Sequence, residues 1–395
     1  MYKMERIEGG VCAAEGFRAD GVSIGLKPNG AKDMAFIHSD ALCEVASLFT
    51  TNKMTAAPIR HFRAKGEFRT NFVLINAKNA NAMTGHTGID DIDEVLGAAS
   101  QRFPQIVDPV MSSTGVIGVR LPKAKLIAGL EQLDLTRRDG DAASRAIMTT
   151  DTFPKTIAYE VTLSDGGSFR IGAMAKGAGM INPAMATMLC FITTDAAADA
   201  ATMQLILDES VATTFNAASV DGDTSTNDTV MLLSNGRSGA FDHEAFKEAL
   251  HAIMLHLAKQ MVKDGEGATK LVTYRVTGAE NNRDAEIAAK ALSDSLLMKT
   301  ALFGEDPNWG RVASTIGASG VLCGEEYLTI AFDDVCVYRK GEILFDAETE
   351  VKAAAVMKKP EFTIHCDLGL QDGSFTAYGC DLGHEYVKIN ADYRT

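Results

Sequence analysis

The sequence has no run of 18 apolar residues, so no transmembrane helix is expected. Its start, MYKMERIEGG, holds no apolar core of signal-peptide length, and a cytoplasmic location is the expectation. No C-x-x-C pair occurs, and seven cysteines is an odd number. Both facts argue against a disulfide framework or a zinc site, and Cys190, Cys323 and Cys366 fall in apolar or strand-like runs as reduced thiols. The eight histidines include no H-E-x-x-H, so no metal is expected. A Walker A pattern and a full G-x-G-x-x-G are also missing. Asp221-x-Asp223-x-Ser225 begins like a calcium loop, but Thr226 stands where the glycine is needed and Leu232 where the bidentate glutamate belongs. Positive charge is in deficit: the net charge of −14 argues against a nucleic-acid or anionic-membrane partner. There is no internal repeat, low-complexity linker or heptad pattern.

What remains is an ordinary globular composition, 46% hydrophobic and 23% charged, over 395 residues, enough for two or three domains. Residues 1–65 mix short alternating runs with glycines and read as hairpins rather than helices, with a strand over 46–51. Strands are expected at 71–76, 188–192, 229–233, 271–277, 330–338 and 361–368, with a hairpin pairing 157–161 and 168–174. Helical spacing covers 90–103, 123–133, 141–148, 196–215, 242–263 and 283–302. Interleaved strands and helices with several hairpins predict an α/β (α+β) fold with a mixed-sheet layered core. The chain changes near residue 187 from glycine-rich and strand-rich to longer helices. This divides it into 1–186, 187–280 completing the core, and a smaller C-terminal α/β domain over 281–395.

The chemistry centres on residues 172–195, GAMAKGAGMINPAMATMLCFITTD. A nearly uncharged glycine-rich loop leads through Ala186 and Thr187 into the apolar run MLCFI. A threonine hydroxyl is a weak nucleophile unless a base lies beside it, and freeing its own α-amino group supplies one. A β-branched threonine is also ordinary at a strand start, so the position alone leaves both roles open. Gly177 and Gly179 allow the backbone angles that an internal attack on a peptide bond needs. Lys176, the loop's one charge, is either a solvated lysine or a cation that holds a substrate carboxylate or lowers the pKa of an adjacent amine. Ser113-Thr114-Gly115 is either a simple turn or an oxyanion hole made of a hydroxyl and a backbone N–H. Glu266, between two glycines after the helix at 242–263, is free to aim a carboxylate at a substrate ammonium. His86 and His384 lie in polar stretches, where surface or core roles compete with catalytic ones.

Nearly the whole chain, from about residue 7, resembles the ornithine acetyltransferase family of arginine biosynthesis, the bifunctional glutamate N-acetyltransferases. The motifs that carry the resemblance are LFTTN at 48–52, NANAMTG at 79–85, STGVIG at 113–118, TTDTFPK at 149–155 and KGAGMINPAMATMLCFITTDA at 176–196. SVDGDTSTND at 219–228, KDGEGATK at 263–270, GEDPNWGR at 304–311 and the ending CDLGHEYVKINADYRT complete the set. The resemblance implies an N-terminal-nucleophile-like core and a precursor that cuts itself between Ala186 and Thr187. Thr187 then takes the acetyl group of N2-acetylornithine as an ester and passes it to glutamate, without an obligatory cofactor; some members also use acetyl-CoA as donor. It further implies Thr114 and Gly115 in the oxyanion hole. Substrate contacts fall to Thr150 or Thr152, Lys176, Thr187, Glu266, Asn390 and Thr395. The assembly the resemblance implies is two α and two β chains. Departures are Lys78 where the family usually has glycine, Tyr378 where tryptophan is common, and Gly383 where threonine is usual. Two rival classes remain open: an N-terminal-nucleophile amidase or aminopeptidase that hands the acyl group to water, and a non-catalytic binding protein for small amino acids.

Overall fold

The structure is a computed structural model that describes residues 2–182 and 188–392. Ala186, Thr187 and Thr395 lie outside the described residues. The first nine strands are β1 (Tyr2–Ile7), β2 (Phe17–Val22), β3 (Met34–Phe49), β4 (Thr70–Asn76), β5 (Val110–Ser113), β6 (Lys155–Leu163), β7 (Ser168–Lys176), β8 (Leu189–Thr194) and β9 (Thr229–Ser234). They form one sheet in the order β1-β6-β7-β8-β9-β3-β4-β5, with β2 paired to β3. The long β3 joins two parts: Glu44–Phe49 pair with β9, while its first half pairs with β2 and β4. The pairs β8–β9 and β4–β5 are parallel and the rest antiparallel.

A second sheet holds β10 (Leu271–Ala279), β11 (Thr329–Phe332), β12 (Val335–Arg339), β13 (Glu342–Ile343), β14 (Glu361–Asp367) and β15 (Gly373–Cys380), in the order β13-β12-β11-β14-β10-β15. Only β10–β14 is parallel in it. Both sheets are therefore mixed, in the α/β class expected from the strand and helix spacing. The helices are α1 (Ala57–Ala64), α2 (Thr87–Arg102), α3 (Lys123–Gly129), α4 (Gly140–Ile147), α5 (Ala200–Ala212), α6 (His243–Lys263), α7 (Asn282–Asp294), α8 (Leu296–Phe303), α9 (Trp309–Ala318), α10 (Ala347–Met357) and α11 (His384–Asp392). Among the described residues no helix is long and apolar enough to cross a membrane.

α6 shows how sequence becomes packing. Asp242 caps it by accepting the Ala245 N–H at 2.9 Å. Phe246, Leu250, Ile253, Met254, Leu257 and Met261 then form one buried stripe. With α5 the stripe seals the face of β6 to β9 that carries Val161, Phe169, Ile171, Cys190 and Ile192. α7 to α10 bury a separate core against the second sheet, around Tyr274, Ile330 and Ile364.

Several boundaries differ from expectation. The stretch 283–302 is two helices, because Ser295 leaves the helical conformation and caps α8. The stretch 330–338 is a hairpin turning at Asp333, with φ 50°. α1 interrupts the region expected to hold only hairpins, and α11, for which no helix is expected, begins at His384 in a stretch read only as polar.

A buried ion cluster ties distant segments together. The Lys155 ammonium lies 2.8 Å from Asp151 and 2.5 Å from Asp264, all three buried. Asp151 also accepts the N–H groups of Gly177 at 2.6 Å and Thr149 at 3.0 Å. Asp264 accepts the N–H and hydroxyl of Thr152. The start of β6, the end of β7 and the turn after α6 are thereby locked to one another. Burial alone would raise the Asp151 pKa, but the charges of Lys176 and Lys155 outweigh it and hold the carboxyl below its ordinary range. Lys155→Met removes the shared cation, leaving Asp264 buried without its ion pair and Asp151 with only the nearby Lys176 charge. It should destabilise the fold by about 3–5 kcal/mol in urea unfolding, and adding Asp264→Asn should recover part of the loss.

Candidate active site

The end of β7 delivers Lys176 into a cavity of about 240 Å³. That volume suits a ligand smaller than a typical drug. Thr114, Gly115, Thr149, Thr150, Lys176, Gly179, Asp221, Asn227, Glu266, Tyr386 and Asn390 are among its walls. Six positions singled out in the sequence, Thr114, Gly115, Thr150, Lys176, Glu266 and Asn390, thus meet in one place. Thr152 does not line the cavity; both its donors go to Asp264. Neither His86 nor His384 lines it, and His384 packs edge-on against Phe303.

Thr114 and Gly115 follow directly on β5. The Thr114 N–H is taken by Asn76 O at 3.0 Å. Both residues border the cavity, and among the described residues no acceptor takes the Thr114 hydroxyl or the Gly115 N–H. Gly115 has φ 134°, and a Cβ there would come within 2.2 Å of the Lys78 carbonyl carbon, so no other residue fits. Lys78 itself holds φ 73°, a conformation glycine adopts without strain. That accounts for glycine being usual at this position. Tyr378 is buried in the core and stacks under the Lys259 ammonium, so this departure leaves the cavity walls unchanged.

Asn227 was not foreseen. Its side-chain amide donates to Ser113 O at 2.8 Å and Ala80 O at 2.7 Å, pinning the Thr114 turn to the asparagine-rich loop. A buried amide can bridge two backbones in this way, but the pattern TSTND does not say which backbone atoms its one asparagine will meet. Asp221 was weighed only as a calcium ligand. It instead accepts the N–H groups of Met180 at 2.8 Å and Ile181 at 2.9 Å, and the Tyr386 hydroxyl at 3.2 Å. It therefore holds the loop that leads toward Thr187 and attaches α11 to that loop. Burial pushes its pKa up against those donors.

Lys176 is buried and forms no ion pair among the described residues. Burial lowers its pKa, against the opposing charges of Asp151, Glu266 and Asp228, with Lys155 adding to the lowering. Glu266 accepts the Asn390 amide at 2.7 Å. It sits so close to Gly179 that a Cβ there would meet its carboxyl at 2.6 Å. The cavity therefore offers an unpaired cation at one wall, a carboxylate at another, and an uncommitted N–H and hydroxyl between the chain segments that meet there. That combination suits a zwitterionic ligand with a carbonyl to polarise.

The chain is 61% identical over 396 residues to the arginine biosynthesis bifunctional protein ArgJ of Wolinella succinogenes, with all of both chains covered. It is 38% identical to a solved bifunctional argJ chain from Bacillus halodurans, covering 51% of this chain and 97% of that one, with a TM-score of 0.49. The ornithine acetyltransferase of Mycobacterium tuberculosis, solved in complex with ornithine, is 33% identical over 47% of this chain and 100% of that one, with a TM-score of 0.38. The ArgJ family pattern matches residues 18–395, and the chain belongs to the ArgJ family.

Proposed function

We propose that this chain is an acetyltransferase of arginine biosynthesis that moves the acetyl group of N2-acetylornithine to glutamate through an acetyl ester on Thr187. Family membership and the 61% identical bifunctional relative support the activity. The observation that carries the residue roles is the meeting, in one cavity, of an unpaired Lys176 with the uncommitted Thr114 hydroxyl and Gly115 N–H.

The chemistry follows from these groups. Self-cleavage between Ala186 and Thr187 frees an α-amino group with a pKa near ~7.7–8, so part of it is a neutral base at neutral pH. It takes the Thr187 hydroxyl proton and activates the oxygen within one residue. Attack on the acetyl carbonyl builds negative charge on its oxygen, which Thr114 and Gly115 stabilise. Ornithine leaves, and the amino group of glutamate attacks the ester in the second half-reaction. Donor and acceptor both carry an α-carboxylate beside the reacting nitrogen, so one cavity serves both: Lys176 takes that carboxylate, and Glu266 takes the side-chain ammonium of the ornithine part. Thr150 borders the same space, while Asn390 fixes Glu266. Acetyl-CoA, as the donor in some relatives, enters through the same acetyl-threonine. The cut chains assemble as two α and two β, in the cytoplasm.

Intact mass spectrometry tests the core of this mechanism. Two fragments meeting at Ala186/Thr187 are expected, with roughly 42 Da (one acetyl) added to the second after exposure to N2-acetylornithine. Thr187→Ala should give uncut, inactive chain; turnover by that variant would mean another nucleophile. Rapid hydrolysis of acetylornithine without dependence on glutamate would instead favour an amidase. Thr114→Val should lower kcat about 100-fold with little change in KM, whereas a pure KM effect would remove its oxyanion role. The Lys176 pKa is lowered, so its charged form is lost as pH rises through a value below the ordinary lysine pKa of about 10.4. KM for acetylornithine should therefore climb before that pH is reached, and Lys176→Arg, which keeps its charge, should flatten the rise. A wild-type KM that stays flat up to the ordinary lysine range would rule out Lys176 as the carboxylate holder.

A further inference from the structure

An arginine and a histidine stand side by side on one face of the second sheet. β10 and β14 pair in parallel with Arg275 opposite His365, and on the other flank of β10 Thr376 of β15 lies opposite Arg275. Thr273 and Thr363 form the pair two residues back along the same strands. Strand side chains alternate between faces, so these five share one face. Tyr274 and Ile364 point the other way, into the core under α7 to α10. The first face is sealed only at one end, where Leu271, Tyr378 and Cys380 join the core that α6 covers. Beyond them it opens into a cavity of about 300 Å³ walled by Thr273, Arg275, Thr363, His365, Ser374 and Thr376. This cavity shares no residue with the one that holds Lys176.

Strand propensity accounts for the threonines but not for the pair of basic residues. Like charges directly opposite each other destabilise a sheet, and this pair occurs in a chain whose net charge is −14. Among the described residues neither side chain has a hydrogen-bond or ion-pair partner, and neither do the hydroxyls of Thr273, Thr363, Ser374 and Thr376. The carboxylates beside the row are committed elsewhere. Asp333 takes the Lys359 ammonium at 2.6 Å and the Thr363 N–H at 2.8 Å, and Asp367 takes the Gly369 N–H at 3.1 Å. Burial and the Arg275 charge lower the His365 pKa against the pull of Asp333. An anion seated between the two basic side chains removes that opposition.

We propose that this recess binds the phosphate group of a small phosphorylated metabolite, apart from the acetyl-transfer cavity. The Arg275 guanidinium offers a planar fork for two oxygens of the anion. His365 offers a ring N–H, and the threonine hydroxyls offer donors to the remaining oxygen. A phosphate ester carries three acceptor oxygens and close to two negative charges at neutral pH, which matches this set of donors. A carboxylate has too few oxygens to use them all. The volume is at the small end for ligand sites, leaving room beside Ser374 for a short polar remainder.

Isothermal titration calorimetry on the full chain tests the site, with glycerol 1-phosphate and inorganic phosphate as probes and chloride holding the ionic strength constant. One site per chain is expected, with the ester bound more tightly than the free ion. Arg275→Gln should weaken the ester about tenfold or more while acetyl transfer continues at the wild-type rate. If that variant also loses turnover, His365→Asn, which keeps a donor and removes the charge, carries the same comparison. Binding of neither probe, or equal binding by wild type and variant, would overturn the site. Tighter binding of the free ion would overturn the assignment to a phosphorylated metabolite. Loss of ester binding in saturating ornithine would place the phosphate in the Lys176 cavity and overturn the proposal as well.

Discussion

The charge balance around Lys155 is the constraint on which the rest depends. One ammonium holds two carboxylates, and those carboxylates hold the backbone of residues 149, 152 and 177. Three segments far apart in sequence are thereby fixed before any substrate arrives. Lys176 precedes Gly177, whose N–H Asp151 takes, so the position of the cavity's lysine follows from the position of a paired one. Buried ion clusters add little net stability compared with apolar packing, but breaking one is damaging. This cluster is better understood as a positioning device than as a source of stability.

The cavity shows the same economy. Groups that face it are those left over when the backbone has been satisfied: the Gly115 N–H, the Thr114 hydroxyl and the Lys176 ammonium. Asn227 and Asp221 in its wall, with Asn76 and Asp151, spend most of their side-chain hydrogen-bonding capacity on backbone atoms. Preorganised donors aimed at developing charge are the most effective catalytic device available to a protein. Here the preorganisation comes from buried asparagine and aspartate side chains rather than from secondary structure alone.

Much of this was legible in the sequence, for particular reasons. The α6 stripe and the apolar runs of β4, β8 and β9 were found because burial on one face or both leaves a strong period. The Thr114-Gly115 turn and Glu266 were noticed because glycine beside a polar residue marks an unusual backbone. α11 was missed because none of its residues is buried, so no apolar stripe announces it. The break at Ser295 was missed because alanine and leucine run on both sides, and only the hydroxyl cap shows where one helix stops. Asn227 and Asp221 were seen as one polar loop. Their separate tasks depend on which backbone each meets, and a single sequence does not contain that.

α11 gives the cavity Tyr386 and Asn390, yet it is the last of the described elements to leave the ribosome. The first sheet and the Lys155 cluster are built entirely from residues before Leu271, so they can form while that helix is still being made. Until it docks, Asp221 lacks the Tyr386 hydroxyl and Glu266 lacks the Asn390 amide. The order of synthesis therefore acts as a timer: a nascent chain holds its scaffold before it holds a finished binding site.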